Sequence, residues 1–245
     1  MPLWSLPMSR AAELMDDPAL PAAEHAEALG ALATINAVSR TAAHVARAVA
    51  AMRPPTADTV TVVDVACGGG DVTVAVARRL SRSTVGPRPQ VVGIDISPRA
   101  IERATQLAGD RGSSAAFAVR DVLESGLPPC DVAVSSLFLH HLDDPDAVAL
   151  LGHMATAAGV GVVISDLIRS RLGLALAVIG TSVLASSRVA RIDGPLSVRA
   201  ARTIPEYHEL LAQAGMAAAT VRRTWPERVL IEWRRTPPPA RGVTA

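Results

Sequence analysis

Apolar residues follow two rhythms along this chain. Over residues 22–32 and 36–52 they recur at the three-and-four spacing of a helix face. Beyond residue 58 the rhythm becomes an alternation of segment types. Residues 59–65 (TVTVVDV), 90–95 (QVVGID), 115–120 (AAFAVR), 131–136 (DVAVSS) and 160–166 (VGVVISD) are short, β-branched-rich runs. Near-continuous apolar runs of this kind suit strands buried on both faces of a parallel sheet. Residues 72–82, 98–108 and 145–157, which lie between them, return to helical spacing. Strand and helix in alternation imply right-handed crossovers and a doubly wound, mostly parallel α/β sheet.

Punctuation agrees with the periodicity. Ser97-Pro98 and Asp144-Pro145 each read as a cap followed by a first-turn proline. Arg53-Pro54-Pro55 closes the N-terminal helical zone. The alternation stops after Asp166. Residues 171–191 read as an apolar helix with basic ends, and Thr203-Ile204-Pro205-Glu206 as a capping box. Gly215 ends the helix that follows, and residues 216–225 and 228–233 predict a hairpin turning at Pro226-Glu227. The expected layout is an N-terminal helical cap (1–55), one α/β domain (56–236) with an inserted lid-like segment (167–202), and a disordered tail (237–245). The apolar insertion serves either as a wall over an acceptor site or as a contact with a second copy in a homodimer. Arg169 and Asp193 flank it and are expected to pair at the surface.

Composition narrows the function classes. A formal net charge of +1 gives no field to draw in nucleic acid, and 2% aromatic content leaves little stacking surface. Two cysteines, Cys67 and Cys130, do not make a disulfide framework, and no metal-ligand spacing is present, so no metal is expected. The apolar stretch 172–185 is 14 residues, short of the roughly 20 a membrane span needs. The start of the chain does not read as a signal peptide. The expectation is a soluble cytoplasmic protein with a small-molecule partner.

The strongest local signal is Asp64-Val65-Ala66-Cys67-Gly68-Gly69-Gly70-Asp71, between the first strand and the first crossover helix. Glycines let the backbone turn sharply and approach a ligand, and open α/β sheets bind ligands outside the strands' carboxyl ends. Asp64 and Asp71 beside this loop would repel a pyrophosphate but suit a cation. At an effective dielectric near 20, an ion pair at about 4 Å has a Coulomb term of roughly 4 kcal/mol before desolvation. Two further strands end in acids: Asp95 is placed to accept both hydroxyls of a ribose, and Asp121 to accept the amino hydrogens of an adenine beside Val122. Taken alone, Asp95 reads equally as a helix cap and Asp121 equally as a solvated loop acid. A phosphate-free, cationic nucleoside such as S-adenosylmethionine satisfies all of them. A nicotinamide dinucleotide is the competing ligand, disfavoured by Asp64 and by Thr73 where such loops carry Gly or Ala.

With Asp131 and the Leu139-His140-His141 run, these residues resemble the class I S-adenosylmethionine-dependent methyltransferases over roughly residues 56–166. Ala66 departs from the family's usual glycine. The resemblance implies a Rossmann-like methyltransferase fold with a seven-stranded sheet whose last strand is antiparallel. It implies a cofactor site of Asp64, Ala66, Cys67, Gly68, Gly69, Gly70, Asp95, Ile96, Asp121, Val122 and Ser136. On the substrate side it implies His140 and His141, while Asp166, at the end of the fifth strand, reads equally as a substrate contact or as a cap for the segment that follows. His140 falls where phenolic O-methyltransferases carry a general base, and equally where quinone C-methyltransferases carry histidines with no agreed catalytic role. The runs 193–199 and 225–228 are similar to bacterial methyltransferases associated with type III polyketide pathways, which implies a phenol, resorcinol or quinol acceptor. A module that binds the cofactor without transferring its methyl group is the alternative of another class.

Overall fold

The computed structural model describes residues 6–17, 19–52, 57–83 and 86–236. The proline pair at 54–55 and the tail at 237–245 lie outside these residues. After a short turn at Leu14–Asp16 come helices α1 (Ala22–Val38) and α2 (Thr41–Met52). The alternating core follows as β1 (Thr59–Val65), α3 (Asp71–Ser81), β2 (Arg88–Asp95), α4 (Pro98–Asp110), β3 (Ala116–Val119), α5 (Val122–Ser125), β4 (Cys130–Ser136), α6 (Asp144–Ala157) and β5 (Ala158–Leu167). The chain then runs through α7 (Arg171–Leu184), α8 (Arg188–Ala200), α9 (Ile204–Gln213), β6 (Thr220–Thr224) and β7 (Arg228–Arg234).

The seven strands form one sheet in the order β3-β2-β1-β4-β5-β7-β6. The first five pair in parallel, and β7 runs antiparallel to both β5 and β6. The expected hairpin is the β6–β7 pair. Strand order reverses between β1 and β4, which opens a crevice at their carboxyl ends.

Side chains alternate across the sheet as the pleat requires. Val60 and Val62 of β1, Val132 and Val134 of β4 and Val163 of β5 pack with Val45, Val49 and Met52 of α2 and Val72, Val76 and Leu80 of α3. Val63, Ala133, Val162 and Ile164 face the other way, onto Leu150, Leu151 and Met154 of α6 and Tyr207 and Leu211 of α9. Helix α2 therefore lies flat on the sheet, and only α1 reaches over the crevice.

Four local expectations are corrected. The break between the first two helices falls at Ser39-Arg40, where Arg40 takes φ +55°, and α1 runs six residues past the expected end. The cap of α6 is Asp143, which accepts from the N–H of Asp146, so Asp144 is free to pair with Arg202. The single helix expected over 171–191 is two. Ser187 accepts from the N–H of Ala190 and starts α8, because a serine bonded to nearby backbone favours a helix start over a helix interior. Arg169 and Asp193 are not surface ion partners. Both are buried, and each holds a different part of the chain. Ser97, by contrast, caps α4 as read, and both halves of the Thr203–Glu206 capping box form. No helix among the described residues is long and apolar enough to cross a membrane.

Candidate active site

The loop after β1 turns through three left-handed residues: Ala66 (φ +54°), Gly68 (φ +52°) and Gly70 (φ +75°). Alanine at a positive φ is strained by about 1–2 kcal/mol, a cost that collects at functional sites. Gly70 is required for a second reason: a Cβ there would stand 2.7 Å from Cβ of Ala104. It lets the loop press against α4 from behind, and it is not on the wall of the cavity described next, as the cofactor reading had placed it. Asp95 at the end of β2 fastens the loop from the other side, accepting from the N–H of Gly68 (2.8 Å) and of Ser97 (2.9 Å).

A cavity of about 950 Å³ opens above this loop at the β1/β4 crevice. Of the residues expected to hold a cofactor, Asp64, Ala66, Cys67, Gly68, Gly69, Asp95, Ile96, Asp121, Val122 and Ser136 line it. Asp16, Asp17 and Asp71 add three more acids to its wall. Asp64 is buried. One of its oxygens accepts from the Thr73 hydroxyl at 2.6 Å, and the other, Oδ1, has no partner. Burial pushes its carboxyl up to about 7; the Thr73 bond opposes this, and the charges of Asp71 and Asp95 add to it. The hydroxyl of Ser136 is likewise buried and unpartnered. Buried polar atoms are nearly always paired, so two orphans facing one cavity mark a ligand's place. Asp121 is not a free loop acid: its Oδ1 caps α5, accepting from Leu123 and Glu124, and the residue stands on the cavity wall.

Asp71 at the start of α3 accepts from the side-chain amide of Asn36 in α1 at 3.0 Å, and burial raises its carboxyl. The other end of that amide accepts from Arg228 of β7, whose guanidinium also donates to Thr41. Burial lowers Arg228 to about 10.

A second, apolar cavity of about 260 Å³ lies next to the first. Helix α7 lines it with Gly173, Leu176, Ala177, Gly180, Thr181 and Leu184, one face at three-and-four spacing. Its opposite face leaves Leu172, Val178, Ile179 and Val183 exposed. Met15, Leu32, Leu137 and His141 belong to the walls of both cavities.

The two histidines sit in the turn after β4. Leu137 enters it at φ +57°, a costly angle for a bulky side chain, with its N–H bonded to the carbonyl of Ser165. Arg202, fully buried, donates to the carbonyls of Leu139 and Leu142 and to Asp144, and so clamps the turn. Asp166 takes the backbone N–H of His140 at 3.0 Å on one oxygen and its Nδ1 at 2.6 Å on the other. Burial alone would raise Asp166; the charge and bond of His140 and the N–H of Leu167 outweigh it and hold the carboxyl low. Asp166 stands behind His140 and reaches neither cavity wall, so the substrate contact expected of it is replaced by a positioning role.

An N-terminal strap supplies residues that periodicity could not reveal. Asp193 accepts from the N–H groups of Leu14 and Met15, both at 2.9 Å. Arg169 donates to the carbonyls of Leu6 and Ala201 and to Glu206. The strap lays Glu13, buried, against His141 (Oε2 to Nε2, 3.9 Å) and Asp16 against its other nitrogen (Oδ2 to Nδ1, 3.4 Å). Burial lowers His141, but the Asp16 bond and the charges of Glu13, Asp16 and Asp166 outweigh it and raise its pKa.

Residues 62–161 match the family described as a methyltransferase domain. That segment is the part of the chain that carries the likeness. It holds the loop, the three strand-end acids and both histidines. A curated relative, trans-aconitate 2-methyltransferase of Streptomyces coelicolor, is 40% identical over 87 residues, which is 34% of this chain and 26% of the relative. The match thus spans about a quarter of that protein's length. Among solved structures, the fold is similar to magnesium protoporphyrin IX methyltransferase of Synechocystis PCC 6803, described with bound SAH. The TM-score is 0.57 at 20% identity, covering 83% of this chain and 86% of that one. It is also similar to a protein of Nostoc punctiforme PCC 73102 described as a candidate O-methyltransferase. There the TM-score is 0.63 at 20% identity, over 94% of this chain and 64% of that one. At these identities the structural likenesses carry the fold.

Proposed function

We propose that the protein transfers a methyl group from S-adenosylmethionine to an oxygen of a small, largely apolar acceptor of the phenol, resorcinol or quinol class. The observation that carries this reading is the unpaired oxygen of buried Asp64, a residue of a cavity wall that sets six aspartates against Arg99 and Arg120. A diphosphate would meet repulsion there. An α-ammonium group would give Asp64 its missing hydrogen bond, and the sulfonium would lower the cost of the surrounding negative charge. Both oxygens of Asp95 keep a lone pair for ribose hydroxyls after accepting from the loop. The edge of the adenine would lie by Asp121 and Val122, with exposed Ile96 against its face.

The acceptor would occupy the apolar cavity, its hydroxyl at the His140–His141 end, where the two cavities share a wall. The acceptor oxygen attacks the methyl carbon in line. As the O–C bond forms, the C–S bond breaks, its electron pair stays on sulfur and S-adenosylhomocysteine leaves. The hydroxyl proton is withdrawn at the histidine cluster. Alignment of two bound reactants is the main source of rate, since well-oriented pairs reach effective molarities of about 10⁵ M or more.

Calorimetry with S-adenosylhomocysteine and with NAD, followed by a methyl-transfer screen of phenols, resorcinols and quinols with labelled cofactor, tests this. The expected result is tight binding of the first ligand only and a mass gain of one methyl on oxygen. Binding of NAD in its place overturns the cofactor assignment. Label on ring carbon moves the assignment to C-methylation, and cofactor binding with no labelled product moves it to a binding module.

A further inference from the structure

Glu13, His140 and His141 each bring one ligand atom to a common point, all within 4.8 Å of one another. The arrangement of their outer atoms gives this cluster a direction. Asp166 takes the backbone N–H of His140 on one oxygen and meets its Nδ1 with the other, so Nδ1 of His140 carries the hydrogen of their 2.6 Å bond. The lone pair of the neutral ring is then on Nε2, facing away from Asp166. Asp16 stands in the same relation to Nδ1 of His141, which aims that ring's Nε2 at Glu13. Glu13 is itself steadied, its Oε1 accepting from the Ser197 hydroxyl at 2.6 Å. With both rings neutral, two imidazoles and a carboxylate stand within 4.8 Å of one another with no donor among them. One proton on His141 would relieve the contact with Glu13, yet its single Nε2–H cannot serve both Glu13 and Nε2 of His140. The formal charge around the point is negative: Glu13, Asp16 and Asp166 against two histidines.

We propose that Glu13, His140 and His141 form a site for a divalent transition-metal ion of the zinc class, with an open position toward the acceptor cavity. Two imidazoles and one carboxylate are a ligand set suited to zinc and its neighbours. Carboxylates on the outer nitrogens are the arrangement that fixes a metal-ligating histidine's tautomer and raises its basicity. Tetrahedral zinc with bonds of about 2.1 Å separates its ligand atoms by roughly 3.4 Å. The 3.9 Å gap between His141 and Glu13 would have to close by only about half an ångström to meet that. Bound there, the ion would lower the pKa of an acceptor hydroxyl in its open position, and the proton would pass to water by way of exposed Asp16. That consequence rests on the function proposed above; the ion site does not.

The test uses full-length protein stripped with a chelator and titrated with cobalt(II) and zinc(II), without cofactor. One ion per chain is expected, with visible cobalt d–d absorption displaced by zinc and a raised unfolding temperature. His141→Gln and Glu13→Gln should each weaken binding at least tenfold. Asp166→Asn should weaken it by about 10–100-fold, as lost outer-shell partners do. His208→Ala, at an exposed histidine elsewhere, should leave it unchanged. Lack of stoichiometric binding by the wild-type protein refutes the site, as does binding untouched by both Gln substitutions. S-adenosylhomocysteine calorimetry on the same metal-free sample separates the two proposals. Cofactor binding without cobalt binding rejects the ion alone, and the reverse rejects the cofactor assignment alone.

Discussion

Asp64 shows how a single side chain can carry pH dependence. Its burial, with Asp71 and Asp95 nearby, lifts its carboxyl from 3.8 in an ordinary setting to about 7 in the empty fold. The folded chain therefore keeps a proton that the unfolded chain has lost across that interval. The stability Asp64 contributes is full below 3.8 and is lost as pH rises through about 7. Ligand binding has the opposite sign, since an ammonium group needs the ionised carboxylate. S-adenosylhomocysteine affinity should rise roughly tenfold between pH 6 and pH 8, following the ionised fraction of a group near 7. Asp64→Asn should weaken binding by at least tenfold and flatten that rise, and calorimetry at the two pH values checks both. A rise that persists in Asp64→Asn would assign the titration to another group. The acid itself was legible in the sequence, because a carboxylate at a strand end before a glycine loop has few other uses. The missing partner of its Oδ1 was not, since that depends on which donors the folded neighbours happen to supply.

At the scale of elements, legibility followed locality. Caps and turns that close within a few residues, such as Ser97 on α4, the Thr203–Glu206 box and the β6–β7 hairpin, could be read directly. The split between α7 and α8 was harder, because apolar periodicity runs through 171–191 and only the Ser186-Ser187 pair argues for a restart. The strap around Leu14–Asp16 was out of reach. It has almost no regular structure, and Glu13 meets His140 and His141 across more than a hundred residues. Its attachment is specific, because Asp193 takes two adjacent N–H groups that would otherwise be left without a protein partner. Hydrogen bonds to a charged group contribute about 1.5–3 kcal/mol each. Asp193→Ala should therefore speed amide exchange at Leu14 and Met15 by at least tenfold, while amides of β1 and β4 stay protected, as befits a locally opening segment. Equal acceleration in the central strands would mean that the strap is part of the global folding unit instead.

For the whole molecule, the sheet order sets everything else in position. The reversal between β1 and β4 places the glycine loop and the histidine turn on either side of one crevice, and α1 reaches both cavities through Leu32. One buried polar chain ties these parts together: Arg228 of β7 donates to Asn36 and Thr41, and Asn36 donates to Asp71 on the wall of the larger cavity. Arg228 and Asp71 are not in contact, yet their charges support one another through the amide between them. Removing one end leaves a buried charge without compensation, which typically costs about 3–5 kcal/mol. Arg228→Met and Asp71→Asn should each destabilise strongly, but the double variant should lose less than the sum. A coupling of about 0.5–3 kcal/mol is expected from a shared network. Urea unfolding of the four proteins measures it. Strict additivity would mean that Asn36 insulates the two charges, and that the last strand of the sheet has no electrostatic hold on the cofactor loop.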